Sequence, residues 1–286
     1  MKVLIAGSNG QLGRALQATA PPGMIVVAPP EAALDITDAD RVAANCVGSD
    51  LGMIVNAAAY TAVDKAEADE ATARAVNVNA VGLLAAAART CGAQFVHVST
   101  DFIFDGTAHR PYPPDAAPNP LGAYGRTKLD GEAAAVEFHG SPLIVRTAWV
   151  YSAHGNNFVR TMLRLMAERD VVRVVADQIG TPTHAASLAR AIWALGEAGV
   201  HGIWHWTDAG VASWYDFAVA VQEEALAAGL LSRAVPVVPI RTEDYPTPAC
   251  RPPFAVLDKS ATWAVTGIAR HWRDELRDCL REIAHG

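Results

Sequence analysis

The chain has 286 residues, 51% of them hydrophobic and 19% charged, with a formal net charge of −7 at pH 7. That length and balance suit a folded protein with one large core or two interlocked ones, and exclude a disordered chain. The acidic charge argues against nucleic acid or an anionic membrane as a partner, while leaving local arginines able to hold a small anion.

Residues 2–6 (Lys-Val-Leu-Ile-Ala) form a short apolar run ending in glycine, which predicts a buried parallel strand. Gly7-Ser8-Asn9-Gly10-Gln11-Leu12-Gly13 follows, and a helix is predicted over 11–19. Met24 to Ala28 reads as a second strand that stops at Pro29-Pro30. Met53 to Val55, closing on Asn56, reads as a third. A long alanine-rich helix is predicted over 67–91, with Asn77 and Asn79 near its middle. Gln94 to Val98 is the next strand and runs into Ser99-Thr100; a helix near 124–137 precedes a strand over Pro142 to Thr147.

Strands alternating with helices imply βαβ units, a parallel sheet and right-handed crossovers. The expected fold is therefore α/β: a Rossmann-type doubly wound parallel sheet over 1–149, with a smaller C-terminal substrate-binding lobe over 150–286, some segments of which return to the first domain. After residue 150 the alternation weakens, tryptophans accumulate (Trp193, Trp204, Trp206, Trp214, Trp263, Trp272) and prolines cluster at 236–239 and 246–253. The Pro- and Gly-rich loop of about 20 residues before the helix at 124 is longer than a compact domain spends without purpose, so a functional role is expected there.

Cys46, Cys91, Cys250 and Cys279 form no CxxC pair and are read as reduced thiols of a cytoplasmic protein. No run reaches about 18 apolar residues, so no transmembrane helix is expected, and the N-terminus lacks the charged and cleavable segments of a signal peptide. The chain uses 19 Arg and only 4 Lys. Lys65 and Lys128 stand inside the motifs below, and a compact ammonium and a guanidinium are not interchangeable at such positions.

Between a strand and a helix, the GxxGxxG of Gly7 to Gly13 permits a tight turn and close approach of backbone N–H groups to a pyrophosphate at the helix N-terminus. An acidic residue downstream meets the adenosine ribose in such sites. Glu31, directly after the second strand, is the better candidate; Asp35-Ile36 then lies nearer the adenine. Tyr124-Gly125-Arg126-Thr127-Lys128 is YxxxK, which places phenol and ammonium on one helix face. A phenol with its ordinary pKa of about 10 is a weak acid–base catalyst, and a neighbouring ammonium is expected to lower it. Thr100, at a strand end, can donate to a substrate oxygen where charge develops.

With those residues in view, the chain resembles the dTDP-4-dehydrorhamnose reductases, a branch of the extended short-chain dehydrogenases. The resemblance covers nearly the whole chain. It rests on Gly7 to Gly13, Leu34 to Asp38, the NAAAYTAVDKAE of Asn56 to Glu67, Val76-Asn77, the STDFIFDG of Ser99 to Gly106, and Tyr124 to Lys128. It continues through Arg146 to Tyr151, the DQIGTPT of Asp177 to Thr183, and Arg251-Pro252-Pro253. It implies an NADPH- or NADH-dependent reduction of the C4 keto group of a nucleoside-diphospho-4-keto-6-deoxyhexose. Tyr124 would protonate the alkoxide, Lys128 would bind the nicotinamide ribose and tune Tyr124, and Thr100 would polarise the carbonyl. Gly7, Asn9, Gly10, Gln11, Leu12, Glu31, Asp35, Ile36, Ala57, Ala58, Ala59, Tyr60 and Ser99 are the expected cofactor contacts. Asp101, Phe102, Trp149, Asn157 and Arg160 are the expected substrate contacts, Arg160 through phosphate oxygens. A core Trp149 and a solvated Arg160 are the competing readings.

Three positions depart from the family pattern. Phe102 stands where the family usually has Tyr, Ala255 where Ser is frequent, and Glu31 near a position that is often basic. Glu31 would repel a 2′-phosphate, which tilts the expectation toward NADH. Mg²⁺ is implied by the resemblance alone; no ligand set with metal spacing is visible, and His184, His201 and His205 read as structural. A homodimer is left open. The alternatives are another sugar-nucleotide reductase or epimerase of the superfamily, and a non-catalytic NAD(P)-binding regulatory subunit. Dehydration is disfavoured because Phe102 replaces the acidic residue that follows Thr-Asp in the related dehydratases.

Overall fold

A computed structural model describes residues 1–285. Six strands build one parallel sheet: β1 (Lys2–Ala6), β2 (Ile25–Val27), β3 (Leu51–Asn56), β4 (Gln94–Thr100), β5 (Leu143–Thr147) and β6 (Gly202–His205), in the order β6-β5-β4-β3-β1-β2. The continuous apolar run of β1 is explained by the two layers around it. Val3 and Ile5 face a core shared with Leu12 and Leu16 of helix Gln11–Ala18 and with Leu188 and Ile192 of helix Ala185–Glu197. Leu4 and Ala6 face the other side, packing with Val42 of helix Ala39–Cys46 and Val81, Leu84 and Ala88 of helix Ala80–Cys91. Successive strand residues point to opposite faces, so a strand covered twice must be apolar throughout.

The order reverses between β1 and β3, and the loops leaving their carboxyl ends flank the crevice where an open α/β sheet takes its ligand. A separate core of Val159, Met162, Phe217, Val221, Leu276 and Leu280 joins helices Phe158–Glu168, Trp214–Ala227 and Trp272–His285. Short two-stranded pieces line this second lobe, among them Val172–Val175 with Val237–Ile240 and Ile179–Gly180 with Ala212–Ser213.

Two elements differ from the sequence reading. Helix Ala39–Cys46 was not anticipated; its start is fixed by Asp38, whose carboxylate accepts from Asp40 N at 3.0 Å and Arg41 N at 3.1 Å. The helix expected over 67–91 instead begins at Glu70, capped by Asp69 and preceded by a short helix over Val63–Ala66. It also widens into a π-turn over Ala75–Asn79. The buried Asn77 explains that widening: its amide accepts from Tyr60 N at 2.9 Å and donates to Tyr60 O and to Thr127 Oγ1, both at 3.2 Å. Helix Glu70–Cys91 is long and apolar enough to cross a bilayer by composition alone, but its Val81, Leu84, Ala85 and Ala88 are buried in the core. The four cysteines are free thiols.

Candidate active site

The glycine loop leaves β1 with Gly7 at φ +78°, a left-handed backbone that favours glycine. A side chain at Gly7 would meet Ala58 N at 2.6 Å, and one at Gly13 would collide with the Gly7 carbonyl. The loop is thus pressed against both its own helix and the segment after β3. Helix Gln11–Ala18 has no side-chain cap at Gly10, so its first N–H groups stay available to an anion. These features fit a dinucleotide pyrophosphate. Leu12 itself points into the core, so only its backbone can serve a ligand.

Ala57 to Tyr60 are half-buried beside this loop and held by Asn56 and Asn77. Glu31, the expected ribose contact, is exposed at the turn after β2. The neighbouring Asp35, expected with Ile36 to lie nearer the adenine, is exposed. Ile36 is buried in the core with Leu34, and Asp35 is occupied by Thr37, whose N–H and hydroxyl hold its carboxyl below the ordinary range.

The catalytic candidates converge beyond the carboxyl end of β4. Thr100 ends that strand, and its hydroxyl donates to Asp101 Oδ1 at 3.0 Å and accepts from Phe102 N at 3.2 Å. Helix Ala123–His139 carries Tyr124 and Lys128 on its buried face. Its first N–H is capped from a distance: Ala123 N donates to Glu67 Oε1 at 2.7 Å. Gly125 lets the helix ride against the Phe102 carbonyl, where any side chain would collide. That close approach sets the Phe102 ring edge-on to Tyr124, with centroids 5.5 Å apart at 76°. Lys128 Nζ donates to the Val98 carbonyl at 2.7 Å. Ser99 Oγ is buried without a partner in the same region.

Burial changes the acid–base expectation. The phenol of Tyr124 is pushed up to about 12, chiefly by desolvation, with Thr100 pulling it down and the Asp101 charge raising it. Lys128 is brought down to about 8 by desolvation, opposed by Glu132. The expectation that Lys128 lowers the Tyr124 pKa is therefore not met in the protein alone, because desolvation penalises both charged forms. The site presents a neutral acid.

Asp101 is also raised, to about 7, by burial against the hydrogen bonds of Thr100 and Phe102, and its Oδ2 has no partner. Between its unfolded value of 3.8 and about 7 the folded chain holds a proton on Asp101 that the unfolded chain has lost. Folding stability attributable to this group therefore falls as pH rises through that window, by about 1.4 kcal/mol per pH unit at most. Urea unfolding of Asp101→Asn is expected to show a flatter decline between about pH 4 and about pH 7 than the parent chain, since the amide does not titrate. Parallel slopes would contradict a protonated Asp101.

Asp101 and Phe102 line a cleft with Trp149, Trp214, Gln178 and Arg251. Trp149 has a left-handed backbone (φ 49°) and its indole lies flat on Trp214, with centroids 3.5 Å apart at 8°. Gly180 faces that indole, and a side chain there would come within 2.7 Å of it. Trp214, Gln178, Ile179 and Arg251 were not among the expected site residues. For three of them the signal lay in the DQIGTPT and Arg-Pro-Pro segments; Trp214 stands in no such motif. Arg251 pairs bidentately with Asp64 at 2.8 and 3.0 Å, joining the Arg-Pro-Pro turn to the NAAAYTAVDKAE segment. Asn157 and Arg160 lie outside this cleft lining. Asn157 caps helix Phe158–Glu168 and donates to Gln11 Oε1 at 2.9 Å, while Arg160 is exposed and donates to the Ala153 carbonyl at 2.7 Å.

The family model described as the RmlD substrate binding domain matches residues 1–285. A dTDP-4-dehydrorhamnose reductase of Burkholderia thailandensis is 43% identical, over 99% of each chain. The chain belongs to the dTDP-4-dehydrorhamnose reductase family. The crystal structure of such a reductase from Clostridium acetobutylicum superposes with a TM-score of 0.92 at 39% identity, covering 99% of each chain. The Bacillus anthracis enzyme in complex with NADP also gives 0.92, at 34% identity over 98% of this chain and 99% of its own. The doubly wound fold and the NAD(P)-dependent oxidoreductase class expected from the sequence are those of the family. Among the described residues no three His, Cys, Asp or Glu side chains are placed to hold a metal ion. The Mg²⁺ implied by resemblance therefore has no ligand cluster among them.

Proposed function

We propose that this chain reduces the C4 keto group of dTDP-4-dehydro-L-rhamnose to give dTDP-L-rhamnose. The observation that carries the reading is the convergence of Thr100, Tyr124 and Lys128 in one buried site at the end of β4, beside a cleft walled by Trp149 and Trp214. Gly7, Gly10 and the first turn of helix Gln11–Ala18 would hold the pyrophosphate of the cofactor, and Lys128 its nicotinamide ribose. When bound, reduced nicotinamide supplies the hydride for C4.

The protein's own part is proton delivery and orientation. The Thr100 hydroxyl orients the keto oxygen and stabilises negative charge on it. Tyr124 Oη gives its proton to that oxygen as the alkoxide forms. The partnerless Asp101 Oδ2 faces a sugar hydroxyl, and the paired indoles exclude water from the ring. Phe102 keeps the aromatic contact on Tyr124 but offers the sugar no hydroxyl. Four free thiols suit a reducing compartment, in keeping with a cytoplasmic enzyme.

Of the two dinucleotides, NADH is the preferred reductant on this reading. Glu31 accepts from a free ribose hydroxyl and repels a 2′-phosphate. The nearby Arg41 is committed to the Ala32 carbonyl and to Asp38.

Initial rates of dTDP-4-dehydro-L-rhamnose reduction with each dinucleotide test both statements. Turnover with NADH above NADPH is expected, and Glu31→Arg should shift the ratio of kcat/KM toward NADPH by at least about tenfold, the effect of about 1.4 kcal/mol. A parent preference for NADPH would remove the assignment of Glu31. Dinucleotide binding without any turnover would remove the reductase reading in favour of a binding subunit.

A further inference from the structure

Polar contacts moor helix Ala123–His139 to the chain that follows β3. Glu70 binds Arg126 at 3.1 Å, Arg74 binds Asp130 at 2.7 Å, and Asn77 donates to Thr127 Oγ1 at 3.2 Å. These hold the helix from Arg126 onward. One further contact reaches its first residue: Ala123 N donates to Glu67 Oε1 at 2.7 Å. Tyr124 is the next residue along.

A helix leaves its first N–H groups without intrahelical partners, and the residue just before it commonly supplies an oxygen to one of them. Here that residue is Gly122, which has no side chain to cap with. A side chain at Gly122 would come within 2.5 Å of Glu67 Oε1, so the bare residue leaves the carboxylate its place. A task that a local Ser or Asp would perform is thus given to a residue far upstream. Negative charge at a helix N-terminus is favourable in its own right.

The origin of Glu67 gives the contact its meaning. It closes the stretch Asn56 to Glu67, which runs beside the glycine loop, with Ala58 N held by Asn56 and Tyr60 N by Asn77. Asp64 of the same stretch binds Arg251 of the cleft wall. One segment therefore touches the expected dinucleotide site, the wall of the substrate cleft and the start of the helix that carries the acid.

We propose that Glu67 is a positioning residue: by holding Ala123 N it sets the first turn of helix Ala123–His139, and with it the place of the Tyr124 hydroxyl against dinucleotide and keto sugar. The purpose of the tether rests on the reductase reading. A proton is transferred only across hydrogen-bond distance, and a displacement of about 1 Å can cost about 10²-fold in rate. Glu67 itself is exposed, so its removal strands no buried charge. Its loss should therefore be felt in the rate far more than in stability.

Glu67→Ala, Glu67→Gln and Asp69→Ala are compared in the full chain. Asp69 caps helix Glu70–Arg74 through Thr72 N at 3.1 Å, and its variant reports the loss of an exposed cap elsewhere. In reduction of dTDP-4-dehydro-L-rhamnose, Glu67→Ala should lower kcat by at least about tenfold, with KM and dinucleotide Kd within about threefold of the parent. Glu67→Gln, whose amide oxygen still accepts the Ala123 N–H, should keep kcat within about threefold. Asp69→Ala should shift the urea midpoint as Glu67→Ala does and leave kcat unchanged. Amide hydrogen exchange supplies a readout without turnover: Ala123 N–H should exchange at least about tenfold faster in Glu67→Ala than in the parent or Glu67→Gln. If Glu67→Ala does not fold, Glu67→Asp, one methylene shorter, takes its place with the same expected loss. Parent-like kcat in Glu67→Ala would overturn the inference. So would equal losses in the Ala and Gln variants, which would assign the effect to charge and not to the tether. An inactive parent whose Ala123 exchange still depends on Glu67 would remove the reductase reading while supporting the tether; an active parent whose Glu67→Ala variant keeps its kcat would remove this inference alone.

Discussion

Replacing Tyr124 by Phe should lower kcat for keto-sugar reduction by about 10²–10⁴-fold while leaving dinucleotide affinity nearly unchanged. The ring is retained, so its edge contact with Phe102 and its place in the buried face of helix Ala123–His139 survive. What is lost is one proton at one atom. Because that phenol sits at about 12 in the protein, it is fully protonated at neutral pH and needs no activation to serve as the acid. Stopped-flow measurement of nicotinamide oxidation at saturating dinucleotide separates the chemical step from binding. A loss smaller than about tenfold would assign the proton to another group, and Asp101, raised to about 7 in the same cleft, is the acid on hand.

The largest stability effect is expected at Glu132→Gln. Glu132 and Arg146 are both nearly fully buried, 4% and 2% exposed, so neither charge can be recovered by water. Arg146 spans three parts of the fold: its strand β5, helix Ala123–His139 through Glu132, and the Pro-rich loop through Pro114 O at 3.0 Å. A neutral amide leaves the guanidinium buried without its counter-charge, at a cost of about 3–5 kcal/mol. Chemical denaturation should show that loss. The double variant Glu132→Gln with Arg146→Met should recover part of it, because an apolar side chain carries no charge to strand. A single-variant loss below about 1 kcal/mol would mean that the pair is hydrated.

Which parts were readable from sequence follows from the range of the forces involved. β1 announced itself because a strand covered on two faces reads as a continuous apolar run, and β3 and β4 did so through the shorter runs around Met53 to Val55 and Phe95-Val96. Tyr124 and Lys128 were found because four residues on a helix is a local distance. The π-turn at 75–79 was not legible, since it arises from Asn77 reaching across to Tyr60 and Thr127. The burial of the Ile36 side chain was not legible, because proximity along the chain to Glu31 does not reveal which side of the sheet a residue enters. Asn157 was expected at the substrate on resemblance alone; that it caps its own helix and binds Gln11 depends on the fold and could not be read from the chain. Trp214 joins Trp149 only through the second lobe's fold, and no spacing in the chain encodes that stacking.

The place of β6 has a consequence for how the chain is made. β5 pairs with β4 on one side and with β6 on the other, and β6 is not synthesised until residues 148–201 have left the ribosome. Through that interval β5 presents a row of unsatisfied N–H and C=O groups along an apolar edge. A nascent chain stalled there, or a fragment truncated before residue 202, would carry a template for pairing with a second copy of itself. Fusion joints and expression boundaries placed beyond His205 avoid that exposure.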